Sequence, residues 1–449
     1  MKALLKLFSI VFVIVLAVNV AGCQSKVPAP TEVQPPVTSA ETQPPAAAEP
    51  VTVHILTMDQ AAMSTDEEEE IARAFEAENP GIKIQWEFVG YDSVHDKFVT
   101  GMASTPPAYD AVMVDVVWPD EFIKAGYLLD VTDRITTEMK AGIFPSAWLG
   151  VTRNDKVYGM PWLMDNKYFF YNKDILEQAG FAAPPKTWEE LVSQAEVIKS
   201  KGLAEFPIVW SWIQAEAAIC DFTALLYGND GKFLDDAGKP AFNNDKGVAT
   251  LAWMKKTLDD GISNPSSPIY KEGDVETAFL AGKAAFGLNW LSMYSNAQDA
   301  TKSTVVGKVG IAPIPVFEGS SVPSSSVDGS SAFSVTATSP NKDAAWKFLV
   351  YLSSEAVQMK YSAKQLPIWK AAFEGSNLTN LENATTIGPV TVPAFLAQFP
   401  YANERPTVAY YNEASAALQL AIQDVLTGKK NPQEALDAAA AKWVELAGK

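Results

Sequence analysis

Val51-Thr52-Val53-His54-Ile55-Leu56, Ile82-Lys83-Ile84-Gln85-Trp86-Glu87-Phe88 and Ala111-Val112-Met113-Val114-Asp115-Val116-Val117 are three strand-like runs separated by two stretches of helical period. In the first stretch Ile71, Ala74 and Phe75 share one face, which predicts a helix over residues 66–78 with Thr65 and Glu68 as its capping box. The second stretch predicts a helix over residues 91–102. Strand, helix, strand, helix, strand implies a parallel sheet in an α/β fold. Ligands in such sheets sit beyond the carboxyl ends of the strands, which makes Met58, Asp59, Asp115 and Trp118 candidate ligand contacts.

A second α/β pattern begins at Lys167. It predicts a strand over 167–171, a helix from Thr187 to about residue 199 with Thr187 and Glu190 as a capping box, and an apolar strand over 206–210. Residues 287–290, 309–313 and 331–337 are further short apolar runs. No internal repeat is visible. Some 400 residues of ordinary globular composition follow residue 51, enough for two large lobes.

The start of the chain has a different character. Lys2 and Lys6 precede an apolar run over 8–18, and Ala21-Gly22 stand before Cys23. That pattern predicts a secretory signal over 1–22, because the run is shorter than the roughly 20 residues a spanning helix needs. Val20-Ala21-Gly22-Cys23 resembles the lipobox of bacterial lipoproteins, which implies diacylation of Cys23 and attachment to the outer face of the cell membrane. Residues 24–50 are rich in Pro, Ala, Thr, Ser and Glu and contain no aromatic residue. They are expected to form a disordered stalk, so 23–50 is the tether.

The formal charge is −18, and removal of 1–22 takes away two lysines and no acid, leaving −20. This balance argues against nucleic acid as a partner and against electrostatic adhesion to anionic lipid. Cys220 is the only cysteine besides Cys23, so no disulfide is expected within the mature chain once Cys23 is acylated.

From Tyr158 onward short segments resemble a known family. Tyr158-Gly159-Met160-Pro161, Tyr171-Asn172-Lys173-Asp174 with Ala179-Gly180, and Pro185-Lys186-Thr187-Trp188-Glu189-Glu190-Leu191 are three of them. Phe279-Leu280-Ala281-Gly282-Lys283-Ala284-Ala285-Phe286 and the run from Ser339-Pro340-Asn341 to Leu349 complete the set. Each match is short, and their order and spacing are similar to the extracellular solute-binding proteins, family 1, the sugar-capturing subunits of ABC importers. The resemblance implies a two-lobed periplasmic-binding-protein fold of type II, each lobe a mainly parallel sheet flanked by helices. By analogy the lobes are 51–163 plus 294–337 and 168–289 plus 342–449, with crossing segments at 164–167, 290–293 and 338–341. It further implies a carbohydrate ligand, a permease partner, and a monomer that binds without cofactor or metal. Pro340 is expected at the first helical position after Ser339.

A sugar presents hydroxyls at its rim and C–H patches on its faces, so carboxylates and amides beside aromatic rings suit it. By the resemblance, Asn289-Trp290 supply an amide and a ring, Asp115 and Trp118 face the cleft, and the turn with Gly329 and Ser330 approaches the ligand. Asp165 and Asn166 fall on the expected first crossing. Trp210 and Trp212 flank Ser211 at the end of a strand, and alternation turns both rings to one side. Arg405 either bonds a ligand oxygen or forms a salt bridge. His54 and His95, the only histidines, are expected to be structural.

An exported glycoside hydrolase is the competing class, with Asp115 and Asp165 as paired acid and base. No Gly-x-Ser-x-Gly elbow, His-Glu-x-x-His helix, Cys-x-x-Cys pair or phosphate loop supports other enzyme chemistries. A third reading keeps the fold and exchanges the sugar for a polyamine or a glycerol phosphate ester.

Overall fold

The computed structural model describes residues 50–448 apart from 61 and 363. Cys23, the leader 1–22 and nearly all of the stalk lie outside the described residues. Residues Glu49–Lys449 form one compact unit.

In chain order the strands are β1 (Val51–Met58), β2 (Ile82–Val89), β3 (Ala111–Asp115), a ribbon of β4 (Thr152–Arg153) with β5 (Lys156–Val157), and β6 (Met160–Leu163). They continue with β7 (Tyr168–Asn172), β8 (Ile208–Val209), β9 (Phe286–Asn289), β10 (Val309–Ala312), β11 (Ser326–Val327), β12 (Ser331–Val335) and β13 (Ala402–Asn403). The first lobe is built on the sheet β2-β1-β3-β12-β6 and the second on β10-β7-β9-β8. The α/β class and the two lobes are as expected, while the strand directions are mixed. β1 runs parallel to β2 and β3, whereas β12 is antiparallel to β3 and β6. In the second sheet only β8 and β9 are parallel.

Burial explains the strands. Val53, Ile55, Val112 and Val114 are buried, as the continuous apolar run of a covered sheet requires. The first helix, Thr65–Glu78, starts one residue earlier than the expected capping box: Ser64 caps it, and Glu67 returns the bond to the Ser64 backbone. Glu68 lies on the buried face with Ile71, Ala72 and Phe75, at the 3–4 spacing of a helix stripe. Thr187 caps the helix Trp188–Ser200 as expected, although Glu190 accepts from Lys186. Trp188 is fully buried against Phe169, Trp210 and Trp253.

The later lobe boundaries differ from the expectation. β10 lies within 294–337 yet pairs with β7 of the second lobe. The helix Lys342–Leu352 packs on β12, β1 and β6 of the first lobe, so 342–449 does not belong wholly to the second. Segment 338–341 is not a crossing: Ser339 donates to Asp110 Oδ1 and Asn341 to the Thr52 carbonyl, which folds the chain back onto the first sheet. Asn341 immediately precedes that helix and Pro340 stands outside it. The second lobe regains the chain at the helices Tyr411–Leu426 and Pro432–Ala447, which pack on the helices Glu216–Tyr227 and Asp245–Asp259.

Candidate functional site

A cavity of about 480 Å³ lies between the lobes. The first lobe contributes the carboxyl ends of its strands: Met58 closing β1 with Asp59 and Gln60 after it, Gly90 and Tyr91 after β2, Asp115 closing β3, and Leu163 and Asp165 at the end of β6. The facing wall has Glu216 and Cys220 from the helix Glu216–Tyr227, Lys271 and Glu272 from the start of the helix Glu272–Leu280, and Trp290 just after β9. This is the strand-end position that open α/β sheets reserve for ligands.

Arg405 joins the two walls. Its Nη2 donates to Asp115 Oδ1 at 2.9 Å in the first lobe, and its Nη1 donates to Glu216 Oε1 at 2.8 Å in the second. Glu216 also accepts from the hydroxyls of Tyr411 and Ser415, and Asp115 Oδ2 accepts from Tyr91 at 3.0 Å. Burial raises the Asp115 carboxyl above its ordinary range, and the Arg405 guanidinium opposes the rise. Arg405 is 2% exposed, and its Nε–H lines up with no acceptor among the described residues. A buried donor of this kind costs free energy.

Behind the second wall, Lys167 is fully buried and donates to Asp221 at 2.7 Å and to Ser211 at 3.0 Å, with Glu272 at 3.3 Å. Its Nζ stands 5.3 Å from the centroid of the Trp290 ring, a cation–π contact that fixes the ring as cavity wall. Gly329 lies against the same ring, since a Cβ there would come within 2.3 Å of it. Its N–H donates to the Asp165 carbonyl. The Asp165 carboxyl is pushed up to about 8, chiefly by burial, against the N–H groups of Asn166 and Leu291 that favour its charged form and with a further rise from Asp328.

At the rim, Lys271 of the second lobe meets Asp92 of the first at 2.5 Å, both about half exposed. Asn412 donates to Glu121 at 3.3 Å, and Glu121 also pairs with His95 at 3.0 Å.

Of the residues singled out in the sequence, Met58, Asp59, Asp115, Asp165, Trp290, Gly329 and Arg405 line this cavity. The others stand behind it. Trp118 is buried and stacks on Tyr91, 5.4 Å between centroids, so it backs the ring that faces the cavity. Asn289 spends its amide on the Glu272 carbonyl and on the Trp290 N–H. Asn166 is fully buried, accepting from Tyr168, and Ser330 donates its N–H to Asp328. Trp210 and Trp212 do share a side, stacked at 4.8 Å, and that side is the core; Ser211 between them points to Lys167 and Asp221. Tyr91, Gln60, Glu216, Lys271 and Glu272 line the cavity without having been singled out. Tyr91 follows the second strand and Gln60 the first, so both obey the strand-end rule applied to their neighbours; the other three carry no local signal.

Among the described residues no group of three or more His, Cys, Asp or Glu could hold a metal ion, and no helix is long and apolar enough to cross a membrane.

The bacterial extracellular solute-binding protein family model matches residues 61–359. A Deinococcus radiodurans protein named as a probable ABC transporter-binding protein is 28% identical over 359 residues, covering 76% of this chain and 80% of that one. Among solved structures, the maltose-bound MalE3 of T. maritima superposes with a TM-score of 0.80 and 28% identity, over 88% of this chain and 100% of that chain. A Thermotoga lettingae solute-binding protein bound with α-D-tagatose gives 0.78 and 27%, over 88% and 99%.

Proposed function

The chain belongs to the bacterial extracellular solute-binding proteins, and on that premise we propose that it captures a mono- or oligosaccharide between its lobes and delivers it to an ABC permease. The observation that carries the sugar reading is the composition of the cavity wall. Two rings, Tyr91 and Trp290, are each held by a partner behind them, and carboxyl and guanidinium groups with fixed orientations surround them. Rings accept sugar C–H faces, and the carboxyl and guanidinium groups of Asp165, Glu216 and Arg405 in the same wall suit sugar hydroxyls. Maltose in one relative and tagatose in another are consistent with such a ligand.

Ligand touching both lobes favours the closed form by its differential affinity for it. Micromolar binding corresponds to about −8 kcal/mol, which a few hydrogen bonds and two stacked rings supply. No covalent step is required, and the Asp115 oxygens are already committed to Arg405, Tyr91 and the Val117 N–H. Titration calorimetry over mono- and oligosaccharides tests the reading. Binding of another solute class with no carbohydrate bound sinks it, and turnover of a chromogenic glycoside abolished by Asp115→Asn would favour the hydrolase.

We also propose that Cys23 is acylated and that the stalk of about 27 residues tethers a monomer near its permease, which raises effective concentration without any added contact. Cys23→Ala releasing the protein from the membrane fraction supports this; unchanged retention refutes it.

A further inference from the structure

The carbohydrate reading leaves the charge of the ligand open, and the ion pairs around the cavity bear on it. Every base near the cavity is already engaged. Arg405 stands between two carboxylates, Asp115 and Glu216. Lys167 stands between two more, Asp221 and Glu272. Lys271 is matched by Asp92. Asp59, exposed at the end of β1, makes no side-chain hydrogen bond or ion pair among the described residues, and it lines the cavity. Three cations thus face six carboxylates.

A second observation sits at the same place. Glu68, on the buried face of the first helix, is 1% exposed; neither of its carboxyl oxygens meets a donor in full hydrogen-bond geometry, and the side chain of Gln60 is the polar group beside it. It interacts with the cavity residues Asp59 and Gln60, and burial together with Asp59 disfavours its ionisation. With Glu68 held toward its neutral form, the negative potential at the carboxyl end of β1 is that of Asp59, which no base among the described residues pairs. Closing the lobes confines this excess in a low-dielectric cleft, where like charges repel more strongly than in water. A neutral ligand leaves that repulsion in place, and a cation relieves it.

We propose that the cavity takes a cationic carbohydrate, a sugar bearing an ammonium group, with the ammonium seated at Asp59 and the hydroxyls on the Arg405 and Asp165 side. The inference rests on the carbohydrate reading. The ammonium supplies donors to the Asp59 carboxylate, which has none among the described residues, and the rings of Tyr91 and Trp290 remain free for C–H faces.

The test is titration calorimetry of the full chain near pH 6.5, where sugar amines are largely protonated, with glucosamine against glucose, galactosamine against galactose, and the fully deacetylated chitosan disaccharide against cellobiose. The expected result is an amine member that binds at least about tenfold tighter than its hydroxyl parent, a ratio that shrinks between about 0.02 and 0.5 M NaCl. Asp59→Asn, checked for an unchanged thermal midpoint, is expected to reduce that ratio by about fivefold or more. Hydroxyl parents that bind as well as the amines, or a ratio untouched by Asp59→Asn, overturn the proposal and leave the carbohydrate reading standing. Failure of every sugar to bind, whether or not spermidine binds, overturns the carbohydrate reading and this inference with it.

Discussion

Gly329→Ala isolates the contribution of the Trp290 wall. An ideal Cβ at Gly329 lies 2.3 Å from Cζ3 and 2.5 Å from Cη2 of the ring, and ordinary contact begins near 3.4 Å, so the ring must move by about 1.1 Å. It has little freedom to do so, because Lys167 Nζ is 5.3 Å from its centroid and is itself fixed by Asp221 and Ser211. The ring therefore yields toward the cavity or gives up the cation–π contact. Overpacking of this size costs about 1–3 kcal/mol, equivalent to about 5–150-fold in affinity when it falls on the ligand-bound form. Calorimetry with the best ligand of the sugar panel is expected to show a loss of about tenfold or more, with a lowered thermal midpoint of the free protein because the same overpacking is present without ligand. In a Trp290→Ala background the same substitution is expected to add almost nothing, since the two side chains then no longer meet. Affinity within about twofold of the parent in a folded Gly329→Ala protein refutes the reasoning, because Trp290 then does not bound the ligand.

Arg405→Met leaves Asp115 and Glu216 buried without their cation and is expected to cost about 3–5 kcal/mol in urea unfolding; a change under about 1 kcal/mol contradicts the bridging role. Trp210→Phe loses the 2.8 Å bond to Ser263 Oγ and is expected to lower stability by about 1–3 kcal/mol while ligand affinity stays constant; a folded variant with lost affinity puts Trp210 at the ligand after all. Burial above all holds Asp165 near 8 against about 3.9 in the unfolded chain, so between those values the folded form binds a proton that the unfolded form lacks. Stability accordingly declines as pH rises through that window, and Asp165→Asn is expected to remove up to about 1.4 kcal/mol per pH unit of the decline; parallel stability curves for the two proteins dismiss the shift. Lys271→Ala breaks the half-exposed pair with Asp92 across the rim, worth under about 1 kcal/mol. Its measurable effect is a loss of affinity of about two- to fivefold at low salt that vanishes at high salt, and a salt-independent loss contradicts an ionic origin.

The βαβαβ start was legible because each element there is specified by neighbours in sequence: β1 and β2 by apolar runs, the helix Tyr91–Met102 by its period. The third lobe boundary was not. Whether residues after Val335 leave the first lobe depends on Ser339 and Asn341 finding Asp110, more than two hundred residues away in the chain. In the cavity, strand-end position located Asp59 and Asp115 from one lobe, whereas Glu216 and Lys271 come to it only because two distant segments meet there. Asn289 and Trp210 show the complementary limit. Residue type and alternation identified an available amide and a ring on a common side, but the backbone carbonyl of Glu272 had first claim on the amide, and the common side of the tryptophans was the core. Arg405 had two open alternatives, and the structure supplies the ion pair, with Asp115 and Glu216 as its partners.

The place of β12 sets the order in which the molecule can assemble. This strand fills the gap between β3 and β6, yet Ser331 is synthesised 168 residues after Leu163. At roughly 5–20 residues per second, that interval is about 8–34 s during which β3 has an open edge and β6 has no sheet to join. An open apolar edge is a template for pairing with other chains. The lobe encoded first is thus finished only after most of the second has left the ribosome, so a nascent chain halted anywhere before Ser331 holds neither a complete sheet nor a cleft.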